Sequence, residues 1–155
     1  MVWTNIHKQR IFEEWFENGG TAPTYFHFQL ATSDTGTWNA DLSSCSQVTL
    51  VAEGNGYYAS GIRALRDGTD ISVPAFGSEA QSNDYVEADI GVTLEWTATG
   101  GNIPSTGSPP YYLIMTDDNA TPTQREIFGF WSLGGNVTLI ENQVLTLTGA
   151  TLRGT

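Results

Sequence analysis

An all-β domain of antiparallel strands, a β-sandwich or jelly-roll-like barrel with one short N-terminal amphipathic helix, is the fold class this sequence predicts. Three observations carry it. Several short segments alternate apolar and polar residues with a period of two, the mark of strands with one face in a core. The 155 residues include 17 glycines and only 15% charged side chains, a balance that favours turns and strands over solvated helices. After residue 20 no helical pattern alternates with the strands, so a parallel α/β arrangement has nothing to build its crossovers from. The length suits one domain, residues 1–155.

From Thr4 to Glu17 the residues Ile11, Phe12, Trp15 and Phe16 share one helical face, Thr4 or Asn5 can cap the start, and Asn18-Gly19-Gly20 ends it. The segment TYFHFQLAT after Pro23 alternates Phe26, Phe28 and Leu30 against Tyr25, His27 and Gln29, a half-buried strand. A polar loop, SDTGTWNADLSSCSQ, precedes a second strand in VTLVA. In EGNGYYASGIRAL a glycine-rich turn enters a strand, and Gly54, Gly56 and Gly61 mark bulges or positive φ angles. Ile71 to Val73 is a weak strand. The run VEADIGVTLEWTAT sets Val92, Leu94 and Trp96 against Thr93, Glu95 and Thr97. The strands YYLIMT and EIFGFWSL form a hairpin, and VTLI, a turn at Glu141-Asn142 and VLTLTGATLR close the chain.

Composition excludes several functions. A formal charge of −11 with six Lys and Arg residues repels phosphate backbones, so no nucleic-acid partner is expected. No run of eighteen apolar residues can span a bilayer as a helix, and MVWTNIHKQRIFEEWF lacks the apolar core of a signal peptide, so neither a membrane nor that export route is expected. The single cysteine, Cys45, rules out an intrachain disulfide framework and any multi-cysteine zinc site.

The polar cluster Asp117-Asp118-Asn119 with Arg125-Glu126 falls between two apolar strands, where a hairpin exposes its backbone to water, and DDNATPTQRE lacks the ligand spacing of a calcium loop. No nucleophile elbow, zinc-protease or phosphate-loop motif occurs. His27 reads as a hydrogen-bonded or exposed strand residue, and Asp89 and Glu95 are the carboxylates a glycan-cleaving alternative would use. No catalytic, cofactor or metal residue is assigned. Trp96 and Trp131 belong to a core by their alternation. Trp38, in a polar loop, is the candidate exposed aromatic contact, and a carbohydrate-binding module is the alternative it supports. Asn119-Ala120-Thr121 and Asn136-Val137-Thr138 match the glycosylation acceptor pattern by chance composition.

The order of segments carries a resemblance. A short helix ending in Gly-Gly, then Leu30-Ala31-Thr32, then Gly56-Tyr57-Tyr58-Ala59, then a hairpin before Val144-Leu145-Thr146-Leu147-Thr148-Gly149-Ala150-Thr151-Leu152 resembles small structural proteins of tailed-bacteriophage virions, of the tail-fibre-like or capsid-decoration type. Glu141-Asn142-Gln143, where such proteins carry a glycine-containing turn, and the loop from Asp34 to Gln47 depart from that pattern. The resemblance implies a non-enzymatic virion component without cofactor. Its partners would be other capsid or tail proteins and further copies of itself, with a trimer as the favoured oligomer and a host-surface glycan as a further partner. The aromatic face Phe12, Trp15 and Phe16 is the expected interface.

Overall fold

The computed structural model describes residues 2–6, 23–34, 38–65, 71–72, 86–148 and 151–154. Its strands are β1 (Val2–Trp3), β2 (Tyr25–Thr32), β3 (Ile62–Leu65), β4 (Ile71–Ser72), β5 (Val86–Ile90), β6 (Leu94–Thr97), β7 (Pro110–Thr116), β8 (Ile127–Ser132), β9 (Val144–Leu147) and β10 (Thr151–Gly154). They form an antiparallel five-stranded sheet in the order β1-β8-β7-β2-β3, a three-stranded sheet β10-β5-β4 and a two-stranded ribbon β6-β9. The all-β prediction holds at this level.

The predicted helix over residues 4–17 is not part of this picture. Residues 7–22 lie outside the described residues, and of the span 4–17 only Thr4, Asn5 and Ile6 are described, the last two with helical backbone. Trp3, immediately before that span, belongs to β1 and pairs with Gly129. Thr4 is buried, and its hydroxyl donates to the carbonyls of Ile127 and Phe128 in β8. Val2–Trp3 is therefore sheet, because an edge of β8 offers backbone groups that must be paired.

β2 is covered on both faces, not on one as its alternation suggests. Phe26, Phe28 and Leu30 enter the main core with Leu113 and Met115 of β7, while Ala31 joins a second cluster with Ile114, Leu42 and Cys45. The hairpin partner β8 serves both cores through a bulge. The register with β7 shifts between Met115 and Thr116, which leaves Phe128 as the extra residue in β8. Ile127 and Phe130 therefore reach the second cluster together, while Phe128 and Trp131 pack in the main core, Phe128 edge-on to Phe26 at 5.4 Å.

The ribbon shows the alternation the sequence predicts. Leu94 and Trp96 are buried while Glu95 and Thr97 are exposed, and Leu145 and Leu147 of β9 pack on the same core. This ribbon lies over the five-stranded sheet, with the side chains of both in one apolar cluster.

The second strand expected in VTLVA is instead the first half of a broken one. Thr32 N–H bonds Thr49 O, Leu50 bridges to Ala31, Val51 N–H bonds Leu30 O, and β3 then resumes along the same edge of β2 with Ile62 opposite Phe28. Residues 52–61 leave this line as an arm. Its tip is a two-residue hairpin, Gly54 and Tyr57 exchanging both backbone bonds at 3.0 Å around Asn55 and Gly56, whose φ values of 54° and 90° suit the Asn-Gly turn.

Candidate functional site

The arm is held down by a set of polar side chains buried beneath β2, and this set is the densest chemistry among the described residues. His27 and Gln29 point to the same face of β2, as a period of two requires. The His27 ring nitrogen Nδ1 lies 2.7 Å from Ser60 O, and since a carbonyl only accepts, Nδ1 carries the proton. Gln29 donates through Nε2 to Ala59 O and accepts at Oε1 from the Thr116 hydroxyl at 3.0 Å. Gln29 and Thr116 are fully buried. Where the arm interrupts the ladder, these side chains supply the hydrogen bonds that a neighbouring strand would have made.

Arg125 completes the set from the β7–β8 connection. It is 3% exposed, its Nη1 donates to Ser60 O at 2.8 Å and its Nε to Asn119 O at 2.8 Å. The predicted exposed hairpin tip is thus only partly so. Asn119, Ala120 and Thr121 face solvent, whereas Arg125 is folded back under the sheet. Asx bonds shape the loop to allow this: Asp117 Oδ1 accepts from the Asn119 and Glu126 amides, and Asn119 Oδ1 accepts from Thr121 N–H. Asp118 Oδ2 accepts from Thr24 N–H at 3.0 Å and ties the loop to the start of β2.

Burial sets the electrostatics. It lowers the His27 pKa from its ordinary 6.5, with the Arg125 and then the Arg63 guanidinium acting in the same sense, against the bond to Ser60 and the charge of Asp118. Burial raises the Asp117 carboxyl above its usual range and works against the charge of Arg125. The Cys45 thiol is pushed up to about 12, chiefly by burial. A short turn, Cys45–Gln47, turns that thiol inward. Ser44 caps it, its Oγ accepting from Ser46 N–H, while the Gln47 side chain accepts from the Ser43 and Ser44 amides. At such a pKa the thiol stays protonated at neutral pH and is a poor nucleophile. Among the described residues no group of three or more His, Cys, Asp or Glu is placed to hold a metal ion.

The sequence-predicted site residues fall elsewhere. Phe12, Trp15 and Phe16 lie outside the described residues. Trp38 is half-buried, not an open platform: its ring stacks on Tyr112 at 3.9 Å and 19°, and its edge meets Phe130 at 5.2 Å. Among the described residues its buried indole Nε1 has no hydrogen-bond partner. The stack explains the difference, since a flat aromatic ring removes more apolar area from water against Tyr112 and Phe130 than in a solvated loop. Glu95 is exposed on β6, and Asp89 stands in β5 of another sheet. Sequence reasoning missed Gln29, Thr116 and Arg125 as a buried set. The available signal was two polar side chains, His27 and Gln29, on one face of a strand whose neighbours are all large and apolar.

Among the described residues the exposed large apolar ones are Tyr58 at 70%, Ile140 at 55% and Val144 at 47%. Ile140 and Val144 flank the turn at the start of β9, where Asn142 has a φ of 69°. Ala98 N–H bonds Gln143 O, so by antiparallel alternation Trp96 and Leu145 exchange ladder bonds while Val144 and Thr146 turn their backbone groups to the far edge of β9. Among the described residues no strand pairs with that edge. The end of β6 is covered instead by the arm, as Thr99 N–H bonds Asn55 O and Gly56 sits against Thr97 O.

No protein-family model, curated protein or solved structure matches the chain.

Proposed function

We propose that this chain is a non-enzymatic structural component of a tailed-phage virion, a head-decoration or tail-fibre-like protein that acts through contacts with copies of itself and with capsid or tail proteins. The observation that supports it best is the outer edge of β9. Edge strands in monomeric β proteins are blunted by charge, proline or a covering loop. The sequence Val144-Leu145-Thr146-Leu147 carries none of the first two, and its outward backbone groups and exposed Val144 suit strand addition by a neighbouring chain. The resemblance of its segment order to that of virion structural proteins is what suggests the particular setting. Among the described residues the buried polar set is engaged structurally: His27, Gln29, Thr116 and Arg125 are spent on backbone carbonyls and each other.

The architecture that goes with this reading is a β-sandwich or jelly-roll-like domain, in which the ribbon β6-β9 and the five-stranded sheet are the two layers. The carbohydrate-binding alternative rests on Trp38, which is half-buried and gives one face of its ring to Tyr112.

Quantitative mass spectrometry of particles purified from cells that express the chain tests the proposal. Hundreds of copies per particle assign it to the head, and a handful to a few dozen assign it to the neck, tail or fibre; absence from the particle overturns the virion reading. Thr146→Pro removes an outward-facing N–H and is expected to give a folded chain that fails to assemble. An unchanged assembly state would show that β9 is not the contact.

A further inference from the structure

We propose that His27 and Arg125 form an acid-sensitive latch on the carbonyl of Ser60, which holds the 52–61 arm against β2 at neutral pH and releases it when the imidazole takes up a second proton. This inference stands apart from the virion reading and rests on the geometry beneath β2.

Two donors from distant parts of the chain converge on one oxygen. His27 Nδ1 is 2.7 Å and Arg125 Nη1 2.8 Å from Ser60 O, so the two nitrogens lie at most about 5.5 Å apart, the two bond lengths end to end. Both side chains are buried, His27 at 9% and Arg125 at 3% exposure. A neutral imidazole and a guanidinium share the carbonyl without conflict. An imidazolium there places a second positive charge beside the first where water screens it little.

The surroundings do not reverse this balance. Arg63 of β3, paired with His27 across the strands, adds a third cation, its guanidinium 4.7 Å over the Tyr25 ring, while that ring meets the His27 ring edge-on at 5.3 Å. On the opposing side Asp118 attracts the proton, yet its Oδ2 is engaged with Thr24 N–H. Asp117 carries its charge toward the Asn119 and Glu126 amides. The net effect is the lowered His27 pKa, from burial first and Arg125 second.

The arm has a defined way to let go. On this face it is attached by Ser60 O and by Ala59 O, the latter through Gln29. Relief of the charge conflict requires either the His27 ring or the Ser60 carbonyl to leave, and Ser60 sits in an irregular turn, Gly61 N–H bonding Tyr58 O, and not in a ladder.

The sign follows from linkage. A group whose folded pKa lies below its unfolded value of about 6.5 gives its full stabilisation above pH 6.5, and loses it as the pH falls through 6.5 toward the lowered value. Asp117, raised, acts in the opposite sense, so exchange is followed over roughly pH 7.5 to 5.5, across the ordinary histidine value, with the His27 ring read directly.

The test uses the full chain and two readouts. Amide hydrogen exchange is measured at Tyr57 to Gly61 across that window, corrected for the intrinsic pH dependence, and the His27 ring is titrated by NMR. The expected result is exchange in the arm that quickens about tenfold toward acid with the midpoint of the His27 titration, itself below 6.5, while β7 amides do not change. In His27→Gln, whose amide can still donate to Ser60 O, the acceleration disappears. A His27 midpoint at or above 6.5, or an arm whose exchange ignores that midpoint, overturns the latch, and both are read on the wild-type chain even if the variant does not fold.

Discussion

Removing the hydroxyl of Tyr57 should destabilise the protein through one unpaired backbone group. The chain turns away from β2 after Val51, and the amide of Leu30 meets the Tyr57 hydroxyl at 3.0 Å where a continuous strand would have offered a carbonyl. The same hydroxyl donates to Leu30 O at 3.3 Å, which also accepts from Val51 N–H. Tyr57 and Leu30 are fully buried, and burial raises the phenol pKa well above its usual value, so the hydroxyl stays protonated. In Tyr57→Phe the ring keeps its packing and Leu30 O keeps Val51, but the Leu30 N–H is left alone away from water. A buried donor stranded in this way costs about 1–3 kcal/mol. For a chain of this size that corresponds to a fall in melting temperature of roughly 2–12 °C. Urea denaturation read by tryptophan fluorescence measures it as a lower midpoint at unchanged slope. Tyr58→Phe, at a residue 70% exposed, is the control and should stay within about 0.5 kcal/mol of the parent. A Tyr57→Phe variant equal to that control would refute the claim that the phenol stands in for a strand.

Three further outcomes follow from the same geometry. Gly61→Ala should lose clearly more stability than Gly134→Ala: both have positive φ, 70° and 83°, and share a left-handed penalty of about 1–2 kcal/mol, but a Cβ at Gly61 would sit 2.3 Å from Phe28 O whereas Gly134 has open space. Equal thermal midpoints for the two would contradict the close approach of arm and β2. Arg125→Met leaves Asn119 O without its guanidinium donor and Ser60 O with His27 alone, a loss of about 1–3 kcal/mol, and should raise the His27 titration midpoint in an NMR experiment. Cys45, buried with its pKa at about 12, should resist an aromatic disulfide reagent at pH 8 and react only as fast as the chain opens; immediate stoichiometric reaction of the native protein would show the thiol is accessible.

Much of the fold was legible because a period of two leaves a one-dimensional trace. Leu94, Glu95, Trp96 and Thr97 alternate in the structure as they do in the chain, the hairpin of β7 and β8 lies where two apolar runs flank turn residues, and Gly54, Gly56 and Gly61 all take positive φ. Where the reading failed, tertiary partners had overruled a local pattern. Polar His27 and Gln29 looked solvent-facing beside Phe26 and Phe28, yet the loop through Leu42 and Cys45 covers their side of the sheet. Trp38 looked exposed among polar neighbours until Tyr112 stacked on it. VTLVA looked like a strand of its own, when it is one half of a strand whose other half resumes only at Ile62.

By itself the sequence determined the all-β class, the turn sites and the main core, since each depends on residue type and on spacing along the chain. Only the tertiary structure decided which polar residues are buried, that Arg125 and His27 share one carbonyl, and that no described strand pairs with the far edge of β9. Those outcomes depend on segments far apart in the chain meeting in space: Ser60 and Arg125 are separated by 65 residues and touch because an arm and a hairpin loop close over the same stretch of β2.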